Sequence, residues 1–223
     1  MKTTKIDWCD CTLNPVVGCK NGCKYCYARK INDRFHFVDN WNVPQFFAER
    51  LKQLNSKKSK SIFMNSMSDL MHWKDEWFEK TFDAMLENKQ HKYIFLTKSL
   101  SLHIPEKPNN VFLGCTIDTQ ARADRCWISM YDFLSIEPIL ESIILDEKKL
   151  YIQTDKGIEN TCCKQIIIGA ETGNRKDRVV PQKEWVENIV KQCDKSNIKV
   201  FMKSSLKEIM GNDFRQDKLI WEE

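Results

Sequence analysis

Short apolar runs bounded by polar turns recur along the chain at Thr12–Val17, Ser61–Asn65, Tyr93–Thr97, Val111–Ile117, Asp132–Ile136, Gln165–Gly169 and Lys199–Lys203. Each has the length of a strand, and several are apolar at consecutive positions, as strands covered on both faces are. Between them the period changes to that of a helix. Phe47, Leu51 and Leu54 form one stripe after Pro44. Trp77, Phe78, Phe82, Met85 and Leu86 form a second, and Trp185, Val186, Ile189, Val190 and Cys193 a third, started by Pro181. Strand–helix–strand spacing of this kind predicts parallel pairing with right-handed crossovers. The fold class expected is α/β, a partial (βα)6-type barrel of parallel strands. Residues 138–164 break the rhythm, and Leu150–Thr154 with Gly157 following predicts a small inserted hairpin. No domain boundary is visible, so residues 1–223 read as a single domain.

Composition changes this picture little. The chain of 223 residues is 42% hydrophobic and 30% charged, ordinary for a globular chain with a substantial core. Nowhere do eighteen apolar residues run together, and residues 1–11 lack the apolar stretch of a signal peptide. A cytoplasmic protein without membrane contact is expected. A net charge of +4 permits an anionic partner without demanding one.

Ten cysteines are the unusual feature. In a reducing compartment they read as metal ligands, thiols or small buried hydrophobes. Cys19, Cys23 and Cys26 are spaced Cys-x3-Cys-x2-Cys on a loop that follows the first strand and precedes a helix carrying Tyr27, Ile31 and Phe35. Three thiolates so placed can hold three irons of a [4Fe–4S] cluster. The fourth iron is then open to a small chelate, and S-adenosylmethionine suits it through its amino and carboxylate groups. Gly18 and Gly22 allow the turns that wrap such a loop, and Tyr25 is placed to lay its ring against the cluster or an adenine. The alternative metal is zinc, which takes four ligands in two pairs. Its second pair would be Cys9 and Cys11, whose one-residue spacing is poor for that geometry. His36, His72, His91 and His103 are dispersed.

In parallel α/β architectures chemistry gathers at the carboxyl ends of strands. Those positions carry Asn65, Ser66, Ser68 and Asp69; Thr97 and Lys98; Thr116 and Asp118; Glu137; Glu171 and Thr172; and Lys203 with Ser204. Carboxylates and lysines gathered on one rim are costly unless paired or functional.

The loop and its placement resemble the radical S-adenosylmethionine superfamily. More closely, the chain resembles the phage-associated three-cysteine-motif proteins, a family of unassigned function. The likeness runs through Asn14-Pro15-Val16-Val17-Gly18-Cys19, Cys23 to Ala28, Phe63 to Leu70, Leu96-Thr97-Lys98, Leu113-Gly114, Ser135-Ile136-Glu137-Pro138, Ile168 to Gly173 and Phe201-Met202-Lys203. Family members often have a longer gap between the first two cysteines, whereas here it is the superfamily's three. Cys9 and Cys11 match no pattern of the family.

The resemblance implies a partial barrel whose reduced cluster, held by Cys19, Cys23 and Cys26, cleaves S-adenosylmethionine to methionine and a 5′-deoxyadenosyl radical that abstracts a substrate hydrogen. It implies a reductant such as flavodoxin or ferredoxin. Asp69 is the expected acceptor for the methionine ammonium, with Asn65, Ser66 or Ser68 assisting. Lys98 is expected at the methionine carboxylate or a ribose hydroxyl, Thr116 beside the cofactor, and Glu137, Glu171 and Lys203 at the substrate.

Arg175, Lys176 and Arg178, together with Lys57, Lys58 and Lys60, raise a nucleic-acid base or nucleotide as substrate, against the plainer reading of a solvated charge run. Trp41, Trp73 and Trp77 are candidate stacking platforms, although Trp77 sits on a helical stripe, where core is the commoner role. Cys162-Cys163 is a candidate thiol pair, against the plainer reading of an incidental loop dipeptide. Two other function classes stand beside the enzyme: a zinc-stapled nucleic-acid-binding protein without catalysis, and an iron–sulfur sensor that cleaves nothing.

Overall fold

The Asn14-Pro15 step decides how the chain begins. Proline cannot donate to a ladder and biases the residue before it. The run Thr12–Val17, expected as one strand, is therefore split. In the computed structural model, which describes residues 1–102, 104, 107–154, 157–160 and 163–223, β1 (Lys2–Thr3) pairs antiparallel with β2 (Cys11–Thr12). The chain then turns, and β3 (Val16–Val17) pairs antiparallel with β4 (Gln45–Phe46) in a separate ribbon. Between β3 and β4 lie the three-cysteine loop and α1 (Tyr27–Phe35). The stripe after Pro44 is a 3-10 helix, Ala48–Asn55, that buries Leu51 and Leu54.

From there the alternation expected from sequence is followed closely. β5 (Ser61–Phe63) is joined through α2 (Asp75–Glu87) to β6 (Lys92–Thr97). β2, β5 and β6 pair in parallel, with Cys11 opposite Ile62 and Ile62 opposite Tyr93. Ile62, Met64, Tyr93, Ile94 and Phe95 are fully buried. Helix α2 lays Phe78 and Phe82 beside Trp73 and Phe95, with ring centroids 5.3 to 6.2 Å apart. These belong to one compact unit, Met1–Thr97 with Ile104–Phe112.

The second unit is Lys98–His103 with Leu113–Glu223. Strand β7 (Val111–Thr116) leads through α3 (Gln120–Arg125) to β8 (Phe133–Ile136). The interruption at 138–164 contains β9 (Tyr151–Thr154) and β10 (Gly157–Asn160), which pair antiparallel as the expected hairpin. Then come β11 (Gln165–Ile168), α4 (Lys183–Lys195), β12 (Lys199–Met202) and the short α5 (Lys207–Met210). β7, β8, β11 and β12 run parallel in that order. Gly114 is required there: a Cβ would lie 2.4 to 2.7 Å from the ring of buried Phe133, which packs edge-on against Trp221 at 5.2 Å. Both units thus have α/β character with parallel strands. No helix among the described residues is long and apolar enough to cross a membrane.

Two expectations are corrected by burial. Trp41, Trp73 and Trp77 are buried, at 7%, 7% and 8% exposure, and are core rather than stacking platforms. Leu86, counted in the second apolar stripe, is 47% exposed. On α1 the apolar face points outward: Tyr27, Ile31 and Phe35 are exposed while Ala28 and Asn32 are buried. Cys162 and His103 lie outside the described residues, so the Cys162-Cys163 pair has only Cys163 described, buried at 2%.

Candidate functional site

The cysteine loop is held at both ends by backbone. Gly18 adopts φ +111°, its N–H donates to Met67 O at 3.0 Å, and the next N–H, from Cys19, donates to Trp41 O at 2.8 Å. A Cβ on Gly18 would meet Pro44 Cα and Trp41 O at 2.9 Å, so only glycine fits this crossing. Gly22, at φ +67°, turns the loop in open space. Cys26 closes it as the N-cap of α1. Its Sγ accepts from Arg29 N at 3.3 Å, and its N–H donates to Cys23 O at 3.2 Å.

Cys19, Cys23 and Cys26 are each half-buried. Burial pushes the Cys19 thiol up to about 12. The carboxylate of Asp69 and the thiolates of Cys23 and Cys26 push the same way, against a hydrogen bond from the Asn21 backbone N–H. Negative charge at its neighbours therefore disfavours the Cys19 thiolate, a situation a bound cation relieves.

Asp69 is the organising group. It is 5% exposed; Oδ2 accepts from Asn21 Nδ2 at 2.7 Å, and Oδ1 accepts from Thr97 Oγ1 at 2.6 Å and from Met71 N at 3.2 Å. Asn21 sits between Cys19 and Cys23, so the carboxylate after the β5 strand and the hydroxyl ending β6 fix the loop from below. His72 adds a second hold, with Nε2 2.9 Å from Asn21 Oδ1. Burial lowers the His72 pKa, which favours the neutral ring. Asn21 and His72 were not among the sequence candidates. Asn21 reads as a spacer residue, and His72 as one of four scattered histidines.

The other residues placed after β5 are structural in their contacts. Asn65 exchanges bonds with Leu96, its Nδ2 donating to Leu96 O at 2.6 Å and its Oδ1 accepting from Leu96 N at 3.0 Å. Ser66 Oγ donates to Asn14 Oδ1 at 3.1 Å, and Ser68 Oγ accepts from Trp73 Nε1 at 3.0 Å. Tyr25 is half-buried. Cys11 lies buried in β2 and burial pushes its thiol up, so the second zinc pair would have to be taken out of a strand.

In the second unit the strand ends carry ion pairs. Lys98 Nζ bonds Asp118, and Arg122 Nε lies 3.4 Å from Asp118 Oδ1 and donates to Thr116 O at 3.2 Å. Lys203 bonds Glu137. Gly169 leaves room for that pair, since its Cβ would lie 3.0 Å from Lys203 Cδ and 3.1 Å from Glu137 Cγ. Glu171 is gripped by Arg175 through Nε at 2.7 Å and a terminal nitrogen at 2.8 Å, and this guanidinium holds its carboxyl below the usual range. Arg175, read from sequence as a free cation for phosphates, is therefore the partner of Glu171. Asp118, Glu137, Glu171, Lys98 and Lys203 each have an opposite charge beside them, which is how such groups tolerate burial, whereas Asp69 is held by hydrogen bonds from Asn21, Thr97 and Met71.

Among the described residues no three His, Cys, Asp or Glu side chains are grouped closely enough to hold one metal ion. A mononuclear site needs all its sulfurs about 2.3 Å from one point. A [4Fe–4S] cube puts each cysteine on a different iron, and so takes thiols set further apart. The donor set of the loop, three thiols on one segment, is of the kind such a cluster uses.

No curated protein and no solved structure matches the chain significantly. A family model described as a protein of unknown function, DUF5131, matches residues 3–213, from β1 through Asp213 and so across the whole set of strands. With that span the chain belongs to the DUF5131 family, whose function is unassigned.

Proposed function

We propose that this protein is a radical S-adenosylmethionine enzyme, with the partial barrel that the resemblance implies. The observation that carries the proposal is the loop itself. Cys19, Cys23 and Cys26 share one glycine-turned segment whose spacer residue Asn21 is locked to the buried carboxylate of Asp69. When bound, a reduced [4Fe–4S] cluster supplies the electron that splits S-adenosylmethionine into methionine and a 5′-deoxyadenosyl radical able to take a substrate hydrogen.

The residues of the chain bind, orient and exclude water. Cys19, Cys23 and Cys26 would hold three irons of the cluster. Asp69 keeps the loop in place through Asn21 and, being anionic, favours an ammonium group nearby, with Asn65, Ser66 and Ser68 around it. Tyr25 offers an aromatic face to an adenine. Lys98 and Thr116 are assigned to the carboxylate or ribose of the cofactor, so Lys98 must exchange Asp118 for that ligand. Glu137, Lys203 and Glu171 are assigned to the substrate, for which a nucleic-acid base or nucleotide stands beside a peptide or a small metabolite. A flavodoxin or ferredoxin is the proposed reductant.

The test is anaerobic purification and cluster reconstitution, with iron and sulfide counted and 5′-deoxyadenosine assayed after reduction in the presence of S-adenosylmethionine. The proposal expects about four irons per chain and 5′-deoxyadenosine, both lost in Cys23→Ala. Zinc in place of iron, in protein prepared without air, would overturn it in favour of a zinc-stapled binding protein. A cluster that forms and never cleaves the cofactor would make the chain a sensor.

A further inference from the structure

An amphipathic helix ordinarily turns its apolar stripe inward. Helix α1 does the opposite. Its buried residues are Ala28 and Asn32, and its orientation is fixed by the Asn32 amide, which donates to Val38 O and accepts from Val38 N, both at 3.0 Å. Outward go Tyr27 at 51% exposure, Ile31 at 37% and Phe35 at 57%, followed by Phe37 at 37%. At 100° per residue, Lys30 and Arg34 border this stripe on the side away from Ala28 and Asn32. Both cations are exposed, and so are Lys20 and Lys24 in the loop before the helix. Exposed apolar surface gathered in one place and rimmed by charge marks a binding surface.

The chemistry of the face names its occupant. Between Lys20 and Phe37 there are five cations and one carboxylate, Asp33, a local excess equal to the +4 of all 223 residues. The rest of the chain is neutral in sum, so the field that draws an anion is concentrated here. Three of the four outward apolar residues are aromatic. Phe35 and Phe37 have centroids 5.9 Å apart and planes 30° apart, and the Arg34 guanidinium lies 5.1 Å above the Phe35 ring. Flat rings alternating with cations are what bases and phosphates of a single strand require. Beside Phe37 opens a cavity of about 200 Å³, walled also by Leu13, Asn14, Arg50, Gln53 and Met67. It has room for one unstacked base. Arg50 Nη1 donates to Asn14 O at 2.7 Å, Asn14 Oδ1 accepts from Ser66 and Met67, and Gln53 Oε1 accepts from the N-terminal ammonium, so the cavity offers a base its shape and apolar walls.

We propose that the outward face of α1, from Tyr27 to Phe37, binds single-stranded nucleic acid, with phosphates on Lys30 and Arg34, bases stacked on Phe35 and Phe37, and one base turned into the adjoining cavity. No metal or cofactor takes part in this binding, so the inference stands apart from the proposed chemistry and fails or succeeds separately from it.

Fluorescence anisotropy of a labelled mixed-sequence oligonucleotide of about 15 nucleotides, as DNA and as RNA, tests it on the full chain, both metal-free and reconstituted. The wild type is expected to bind in both states. Phe35→Ala is expected to weaken binding by about tenfold or more. The double variant Lys30→Gln, Arg34→Gln should flatten the slope of log affinity against log salt by about 1.4, two phosphates at about 0.7 each. These side chains are exposed, so melting temperatures should stay at the wild-type value; Phe35→Leu, which keeps the apolar volume and removes the ring, is the second variant should Phe35→Ala fail to fold. Absence of binding in the wild type overturns the inference, as does binding that Phe35→Leu and the double variant leave unchanged. Polyglutamate bound as tightly as the oligonucleotide would also overturn it, and assign the face to an acidic protein.

Discussion

Replacing Asp69 with alanine removes a carboxylate that is 5% exposed and accepts from Asn21, Thr97 and Met71 at 2.7, 2.6 and 3.2 Å. The bond from Thr97 is the costly one. Thr97 is 1% exposed, so water does not readily replace its acceptor, and losing a charge-assisted bond there is worth about 1.5–3 kcal/mol. Asn21 is half-buried and Met71 exposed, so hydration recovers most of their share. The sum is about 2–4 kcal/mol. For a chain of this size each kcal/mol moves the melting temperature by about 2–4 °C, which gives a fall of about 5–15 °C. Asp69→Asn retains one acceptor oxygen and opposes its amide to a donor, so it should fall between wild type and alanine. Urea unfolding followed by circular dichroism measures the loss. Iron bound per chain after reconstitution measures the local effect, because Asn21 lies between two of the thiols. An Asp69→Ala protein within about 0.5 kcal/mol of wild type, the range of an ordinary surface substitution, would refute the role of Asp69 as the brace of the loop.

Three further outcomes follow from named contacts. Gly18→Ala must fit a Cβ 2.9 Å from two backbone atoms at φ +111°, whereas Gly22→Ala, at φ +67°, meets nothing within 4 Å; the first should cost about 2–4 kcal/mol and the second about 1–2 in urea unfolding, and equal costs would contradict the crossing described at Gly18. Asn32→Ala removes both bonds to Val38 and should destabilise by about 2–3 kcal/mol, read as a shift in the urea midpoint at unchanged slope; a neutral result would mean that α1 is oriented by something else. For Glu171, Arg175 lowers the folded pKa below the ordinary 4.5, so its stabilisation is fully present above that value and is lost as pH falls through the depressed one. Glu171→Gln should therefore be less stable than wild type at pH 7 and converge with it in acid, and stability curves that stay parallel down to acid pH would remove the pairing.

How far the sequence reached differs from one part of the molecule to another. Parallel strands β5, β6, β7, β8, β11 and β12 were legible because a strand buried on both faces is apolar at consecutive positions, and that pattern survives without knowledge of partners. The hairpin at 151–160 was legible from the break in that rhythm. That Cys19, Cys23 and Cys26 share one loop before a helix was legible because their spacing is local. The splitting of Thr12–Val17 was half-legible, since Pro15 stood in view but the donors that meet the Asn14 side chain, Ser66 Oγ and Met67 N, come from 52 and 53 residues away. What only the tertiary structure decided is who pairs with whom and which face turns inward. Arg175 reads as a phosphate binder and Lys98 as a cofactor contact until Glu171 and Asp118 are seen beside them, and Asn21 is a spacer until Asp69 meets it. The period of α1 announces an apolar face but not its direction. Two hydrogen bonds from Asn32 set that direction, and a periodicity cannot record a bond whose partner lies beyond the end of the helix.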